Sequence, residues 1–210
     1  MKRAMFFVDG FNLYHSLAKR EYNKYKWLNL EKLCRCFIES FPDKNTTIIV
    51  GIKYFTAYAT WKEKSVERHK IYIKALETIR ETNIEIIFGK FKPITQVCHL
   101  CHKTYSTHTE KRTDVNIAMN LFISAMKDKY DKGIIVSGDS DLVPAIKYVK
   151  SYFPNKEIDV FLPIGRQAKE LIREANFYRK ITEEYLARSQ FDDVITLPNN
   201  IQIKKPKEWE

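Results

Sequence analysis

The sequence predicts an α/β fold, a three-layer sandwich with a mostly parallel central sheet of about five to six strands covered on both faces by helices. Short apolar runs alternate with segments of helical period from one end of the chain to the other, which is the pattern of such a sheet. The composition agrees: 44% hydrophobic residues with only 6 Gly and 7 Pro exclude collagen-like, low-complexity and broadly disordered chains. At 210 residues, the chain has the length of one generous domain or one domain with an insertion.

Ala4 to Val8 reads as a buried strand, followed by a polar turn, a short helix from about Asn12 and an amphipathic stretch from Glu31 to Phe41 that Pro42 stops. Thr46 to Tyr58 is rich in β-branched and aromatic residues and predicts the next strand. Trp61 to Thr82 predicts a long helix, because Val66, His69, Ile73, Leu76 and Ile79 recur at three- and four-residue steps. Ile84 to Phe88 is strand-like. Residues 89–113 then show neither period, and a loop of that length is either functional or carries a small structure of its own. Val115 to Met126 resumes helical period, Gly133 to Val136 is a strand, Leu142 to Tyr152 a helix, Ile158 to Leu162 a strand and Gln167 to Ala175 a helix. A final helix follows Ile181. The expected organisation is a single domain over residues 1–190, with a Cys-containing insertion at about 89–113, and a polar tail over 191–210 that frays.

Lys and Arg number 36 against 26 Asp and Glu, a net charge of +10. Such a balance favours polyanions, nucleic acid first, although part of it is of the size that keeps small domains soluble. The N-terminal apolar run is too short for a signal peptide, and no run approaches the ~18 apolar residues of a membrane helix. A cytoplasmic protein without a membrane partner is expected, its four cysteines reduced.

Against that basic background, three motifs place carboxylates at similar positions. In FFVDGFN, Asp9 follows the first strand and Asn12 opens a helix; in VSGDSD, Asp139 and Asp141 follow Ile134 to Val136; in EKRTDVN, Asp114 lies in a first helical turn after Glu110. Strand C-terminal ends are where open α/β sheets bind ligands. Each Asp alone can serve as a helix cap. Capping does not explain several apolar strands each ending in acid, since clustered carboxylates repel unless a cation sits among them. Oxygen-only ligands suit Mg²⁺ or Mn²⁺, and such an ion can activate water for attack on a phosphodiester.

The D-G-x-N after the first strand, the EKRTDVNIAMNL segment and SGDSDLVPAIK followed by a strand ending in Pro163 resemble the NYN domain family, relatives of PIN-domain ribonucleases, and its bacterial LabA-like branch in particular. The resemblance spans roughly Met1 to Leu186. It implies a PIN-like sheet with a metal-dependent site of Asp9, Asp114, Asp139 and Asp141, with Asn12 and Ser137 as polar neighbours, and RNA rather than DNA as substrate. Asp9 and Asp139 are expected as direct ligands, with Asp114 and Asp141 binding through water or holding a second ion. Lys111, Arg112, Ser137 and Arg166 are the expected nucleic-acid contacts. His15 and His69 read as structural.

The knuckle Cys98-His-Leu-Cys101-His102 has the spacing of half a tetrahedral zinc site. The resemblance includes a C-x2-C before the EK-x-x-D-V segment. Reduced, unliganded cysteines are the expected state; the alternative is a structural Zn²⁺ that braces the loop, with His102 and His108 as the remaining ligands. Cys34 and Cys36 point to nearly opposite sides of one helix and cannot both contribute. The basic, aromatic stretch Lys19 to Trp27 reads either as a nucleic-acid groove or as an anchored surface loop.

The resulting expectation is a metal-dependent nuclease, an endoribonuclease hydrolysing RNA by a metal-activated water. The alternative is a regulatory nucleic-acid-binding protein that holds a divalent metal without turnover. A haloacid-dehalogenase-type phosphotransferase is disfavoured, because Gly10 and Phe11 follow Asp9 where that chemistry needs D-x-D. A homodimer remains open.

Overall fold

The computed structural model describes residues 1–210. Strand β1 (Lys2–Asp9) runs straight into α1 (Gly10–Ser16), whose start is capped by the Asp9 carboxylate. Helix α2 (Leu30–Glu39), capped by the Asn29 side chain, leads through β2 (Thr47–Thr56) and α3 (Glu63–Leu76) to β3 (Ile84–Phe88). Strands β4 (Lys90–Val97) and β5 (Thr104–Lys111) form an antiparallel hairpin. The chain continues as α4 (Thr113–Met126), β6 (Lys132–Val136), α5 (Val143–Tyr152), β7 (Glu157–Leu162), α6 (Lys169–Glu174), β8 (Phe177–Lys180) and α7 (Glu183–Arg188). A short antiparallel pair, β9 (Val194–Thr196) and β10 (Gln202–Lys204), ends it.

Six strands form the central sheet in the order β3-β2-β1-β6-β7-β8, every pair parallel. This is the expected α/β fold at the upper end of the expected strand count. Alternation along β1 divides its side chains between two cores. Ala4, Phe6 and Val8 pack with Leu13, Phe37, Ile73 and Leu76 from α1, α2 and α3; Met5 and Phe7 pack with Ile117, Leu121, Ile146 and Leu171 from α4, α5 and α6. The apolar runs read as strands are apolar throughout because both faces are covered.

Residues 89–113 carry a small structure of their own, and three other stretches differ from expectation. Residues 89–113 are largely a hairpin whose two faces are both mostly exposed, so no buried stripe imprints a period on them. Strand β8 carries no strand signal in the sequence because it is short, basic and at the sheet edge, as exposed edges tend to be. The tail does not fray: Trp209 is 4% exposed and packs on Trp27 and Tyr72, and Trp27 donates its indole N–H to the Asp192 carbonyl. Helix α3 is shorter than expected at both ends, its last carbonyls taken up by tight turns at Thr78 and Ile79.

At the N-terminal end of the sheet, acids and bases are matched. Lys132 Nζ lies 2.9 Å from Glu157 and 3.1 Å from the buried Asp159, Lys2 bridges Asp43 and Glu157, and Arg3 meets Asp131 at 2.8 Å.

Candidate active site

The strand order reverses between β1 and β6, so the crevice beyond their C-terminal ends is the switch point of this sheet. Asp9 ends β1 there, and Ser137, Gly138 and Asp139 follow β6. A run of hydrogen bonds ties the two turns together. The Asp139 N–H donates to Ser137 Oγ (3.1 Å), the Ser137 hydroxyl to Asp9 Oδ2 (2.8 Å), the Asn12 N–H to Asp9 Oδ1 (2.9 Å) and the Gly138 N–H to Asn12 Oδ1 (3.1 Å). Asp139 Oδ1 in turn accepts the Asp141 N–H at 2.9 Å. Asn12 and Ser137 therefore act here as the braces between the two turns.

Helix α4 brings Asp114 to the same place, and carboxylate oxygens of Asp114, Asp139 and Asp141 lie within 4.8 Å of one another. Asp9 sits beside this trio, with each of its oxygens already engaged by Asn12 or Ser137. The expected pairing of Asp9 with Asp139 as direct ligands is not the grouping observed: the converging oxygens are those of Asp114, Asp139 and Asp141. Burial pushes the Asp9 carboxyl up to about 6, against the pull of its two hydrogen bonds, with the Asp139 and Glu110 charges adding to the rise. Asp114 is also raised to about 6, by burial first and then by Asp139, Asp9, Glu110 and Asp141. None of these five acids takes part in a salt bridge. An all-oxygen donor set with mutual repulsion and no cation fits a hard divalent ion.

Close backbone approaches hold the site. A Cβ on Gly10 would stand 2.6 Å from the Phe55 carbonyl and the Tyr54 ring, and one on Gly89 would stand 2.7 Å from Thr113 Oγ1 and 2.8 Å from Glu110 Oε1. Glu110 accepts the Thr113 N–H and hydroxyl and so caps α4, while Arg112 turns the chain in the left-handed region at φ 84°. Lys111 and Arg112 are exposed and unpaired at this rim. Arg166 packs against Gly138, where a Cβ would lie 2.9 Å from its own, and its buried Nε has no hydrogen-bond partner.

Sequence reasoning missed the aromatic surface beside the acids. Phe11 packs on Phe91, Phe91 on Trp61, and Trp61 stacks on His108 at 3.7 Å and 7°. Nothing in the local sequence marks it, because it joins α1, the turn before α3 and both hairpin strands. Behind Phe11 lies an apolar cavity of about 110 Å³, lined by Tyr14, His15, Tyr54, His69 and Tyr72 among others. His69 is a satisfied, mostly buried histidine, bonded to Thr56 Oγ1 at 3.1 Å and lowered to about 4 by burial. Tyr25 and Trp27 are buried, so the stretch from Lys19 to Trp27 is an anchored segment.

The alternative four-ligand zinc set of Cys98, Cys101, His102 and His108 is not assembled. Cys98 and Cys101 meet at the hairpin tip, but His108 lies midway along β5, opposite Pro93 and stacked on Trp61. The four residues from Thr104 carry it about 13 Å along an extended strand. His102 turns at φ 53° with its N–H on the Cys98 carbonyl. Asp114, Asp139 and Asp141 form the one group of three or more close ligand side chains.

A doubly covered parallel sheet with an acidic, metal-competent crevice at its switch point defines a PIN-like α/β protein. The NYN domain model matches residues 3–193, and the chain belongs to the NYN domain family, within the PIN-like nuclease superfamily. It is 26% identical over 241 residues to 6-hydroxy-3-succinoylpyridine 3-monooxygenase HspA of Pseudomonas putida, covering 99% of this chain and 75% of that one. A crystal structure of a protein of unknown function, VPA0982 from Vibrio parahaemolyticus, shares the fold with TM-score 0.53 at 17% identity, over 87% of this chain and 94% of that one. No helix is long and apolar enough to cross a membrane.

Proposed function

We propose that this protein is a metal-dependent nuclease that hydrolyses phosphodiester bonds in RNA. The observation that carries the reading is the contrast between the sheet's two ends: the acids at the N-terminal end are matched by Lys and Arg, whereas those at the switch point have no cation, in a chain of net charge +10. Asp114, Asp139 and Asp141 would hold Mg²⁺ or Mn²⁺, and Asp9 would complete the negative wall. A divalent ion bound there supplies charge neutralisation at the phosphoryl group and a more acidic water. The chain's own residues do the rest. Arg166, half-buried beside Gly138, and Lys111 and Arg112 at the rim receive backbone phosphates; Phe11, Phe91 and Trp61 offer ring faces to unpaired bases, which favours a single-stranded substrate.

The test is incubation of wild type and Asp139→Asn with labelled single- and double-stranded RNA and DNA in Mg²⁺, Mn²⁺ or EDTA. Cleavage of single-stranded RNA by wild type alone, abolished by EDTA, is expected. Cleavage that persists in EDTA or in the variant overturns the metal site, and tight binding without cleavage in every condition overturns turnover and favours a binding protein.

One observation favours a second reading, an enzyme acting on a small aromatic ring. The cavity behind Phe11 is apolar and of a size near that of a single ring, and the curated relative is named as a monooxygenase of a substituted pyridine. Stabilisation by pyridine carboxylates, lost in Tyr54→Ala, together with inertness toward all nucleic acids, would move the conclusion to that reading.

A further inference from the structure

The hairpin tip carries a metal half-site that the nuclease chemistry does not use. Cys98 opens the tight turn between the two strands, with Cys101 three residues on at its far side. The turn is closed by the Cys98 N–H on the Lys103 carbonyl and the His102 N–H on the Cys98 carbonyl, both at 2.9 Å. Two thiols so placed offer two of the four ligands of a tetrahedral zinc centre.

This chain does not supply the other two. No third His, Cys, Asp or Glu stands close to the pair; His108 is held against Trp61 down the strand, and Cys34 and Cys36 are buried on α2 in the core. The tip is also open to a partner. Leu100 is 95% exposed and Val97 53%, beside the exposed Cys101.

We infer that the tip is half of an intermolecular zinc site, completed by the same Cys98 and Cys101 of a second copy, so that one Zn²⁺ joins two hairpins through four thiolates. Charge complementarity supports a second copy as the occupant. A zinc ion with four thiolates is doubly negative, and each hairpin flanks it with exposed Lys103, so the centre attracts the basic groups at the joint and lessens the repulsion between two chains of +10. The exposed Leu100 side chains would then cover each other across the joint. Each thiol releases its proton on binding, so the dimer weakens as pH falls.

Elemental analysis and light scattering on the full chain, purified in reductant with added zinc, decide the matter. One zinc per two chains and a dimeric mass are expected, with chelator giving monomers. Cys98→Ser and Cys101→Ser should each be monomeric and zinc-free with unchanged far-UV circular dichroism, and replacement by Co²⁺ should give thiolate charge-transfer absorption in wild type only. Asp139→Asn should keep both zinc and dimer, so failure here is distinguishable from failure of the nuclease reading. A monomer holding one zinc per chain, or a chain that stays zinc-free and monomeric at every zinc concentration, overturns the inference.

Discussion

Neutralising Asp9 should stabilise the metal-free protein, which is an unusual outcome for altering a buried, hydrogen-bonded side chain. The carboxyl is 4% exposed and is raised from 3.8 to about 6, chiefly by burial. At about 1.4 kcal/mol per factor of ten, holding it ionised above pH 7 costs the fold up to about 3 kcal/mol. Between those two values the folded state keeps the proton more tightly than the unfolded chain. Wild-type stability from this group is therefore fully present below about pH 4, falls as pH rises through 6 and levels off above it. Asp9→Asn keeps an acceptor for the Asn12 N–H and removes that fall, though it loses one charge-assisted bond to Ser137. A net gain of about 1–3 kcal/mol at pH 8 is expected, or roughly 2–12 °C in Tm for a chain of this size. The gain should vanish near pH 4. Thermal and urea unfolding in EDTA at both pH values measure it. A variant equally or less stable than wild type at pH 8, or a difference independent of pH, would refute the electrostatic account of the crevice.

Divalent ions should stabilise the wild type by about 2.7 kcal/mol when Mg²⁺ or Mn²⁺ is present at a hundred times its Kd, whereas Asp139→Asn gains none, as read by thermal shift. Arg166→Ala should weaken RNA binding without altering metal affinity and lower the slope of log K against log salt by about 1; an unchanged slope in filter binding counts against a phosphate contact. Gly10→Ala should destabilise by at least about 1–3 kcal/mol, because the new methyl meets backbone 2.6 Å away, measured by urea unfolding. Trp209→Ala should cost about 3–5 kcal/mol, whereas a frayed tail would make it silent.

How much could be read from the sequence depended on how far apart the cooperating residues lie. Strands β1, β6 and β7 were legible because burial on both faces leaves unbroken apolar runs, and Asp9 and Asp139 were legible because one ends such a run and the other follows three residues after it. The β4–β5 hairpin was not, since strands exposed on both faces and interrupted by Pro93 carry no stripe. Trp209 sits in a polar run and finds its partners, Trp27 and Tyr72, far away in the chain. Within the site, residue identities were legible and their division of labour was not. Which oxygens converge depends on how α4 lies over β1 and β6, and the lone Arg166 Nε becomes visible only once Gly138 is seen to pack against it.

The two ends of the sheet show why the unpaired acids are informative. Asp159 is as buried as Asp9 and is likewise raised to about 6, yet Lys132 stands 3.1 Å away and offsets its charge within the fold. This chain thus places lysine beside buried carboxylates where only stability is at stake. At the switch point it places none, although 36 Lys and Arg were there to draw on and Lys111, Arg112 and Arg166 stand at the rim. Any of those cations reaching inward would relieve Asp114 and Asp9 and remove the repulsion that burial enforces. Their position at the rim leaves the negative charge for something that comes and goes, as a metal ion with a phosphate in tow would. The site's cost in stability and its capacity to bind therefore have one origin, and the Asp9→Asn gain and the divalent-ion gain should be two measures of it.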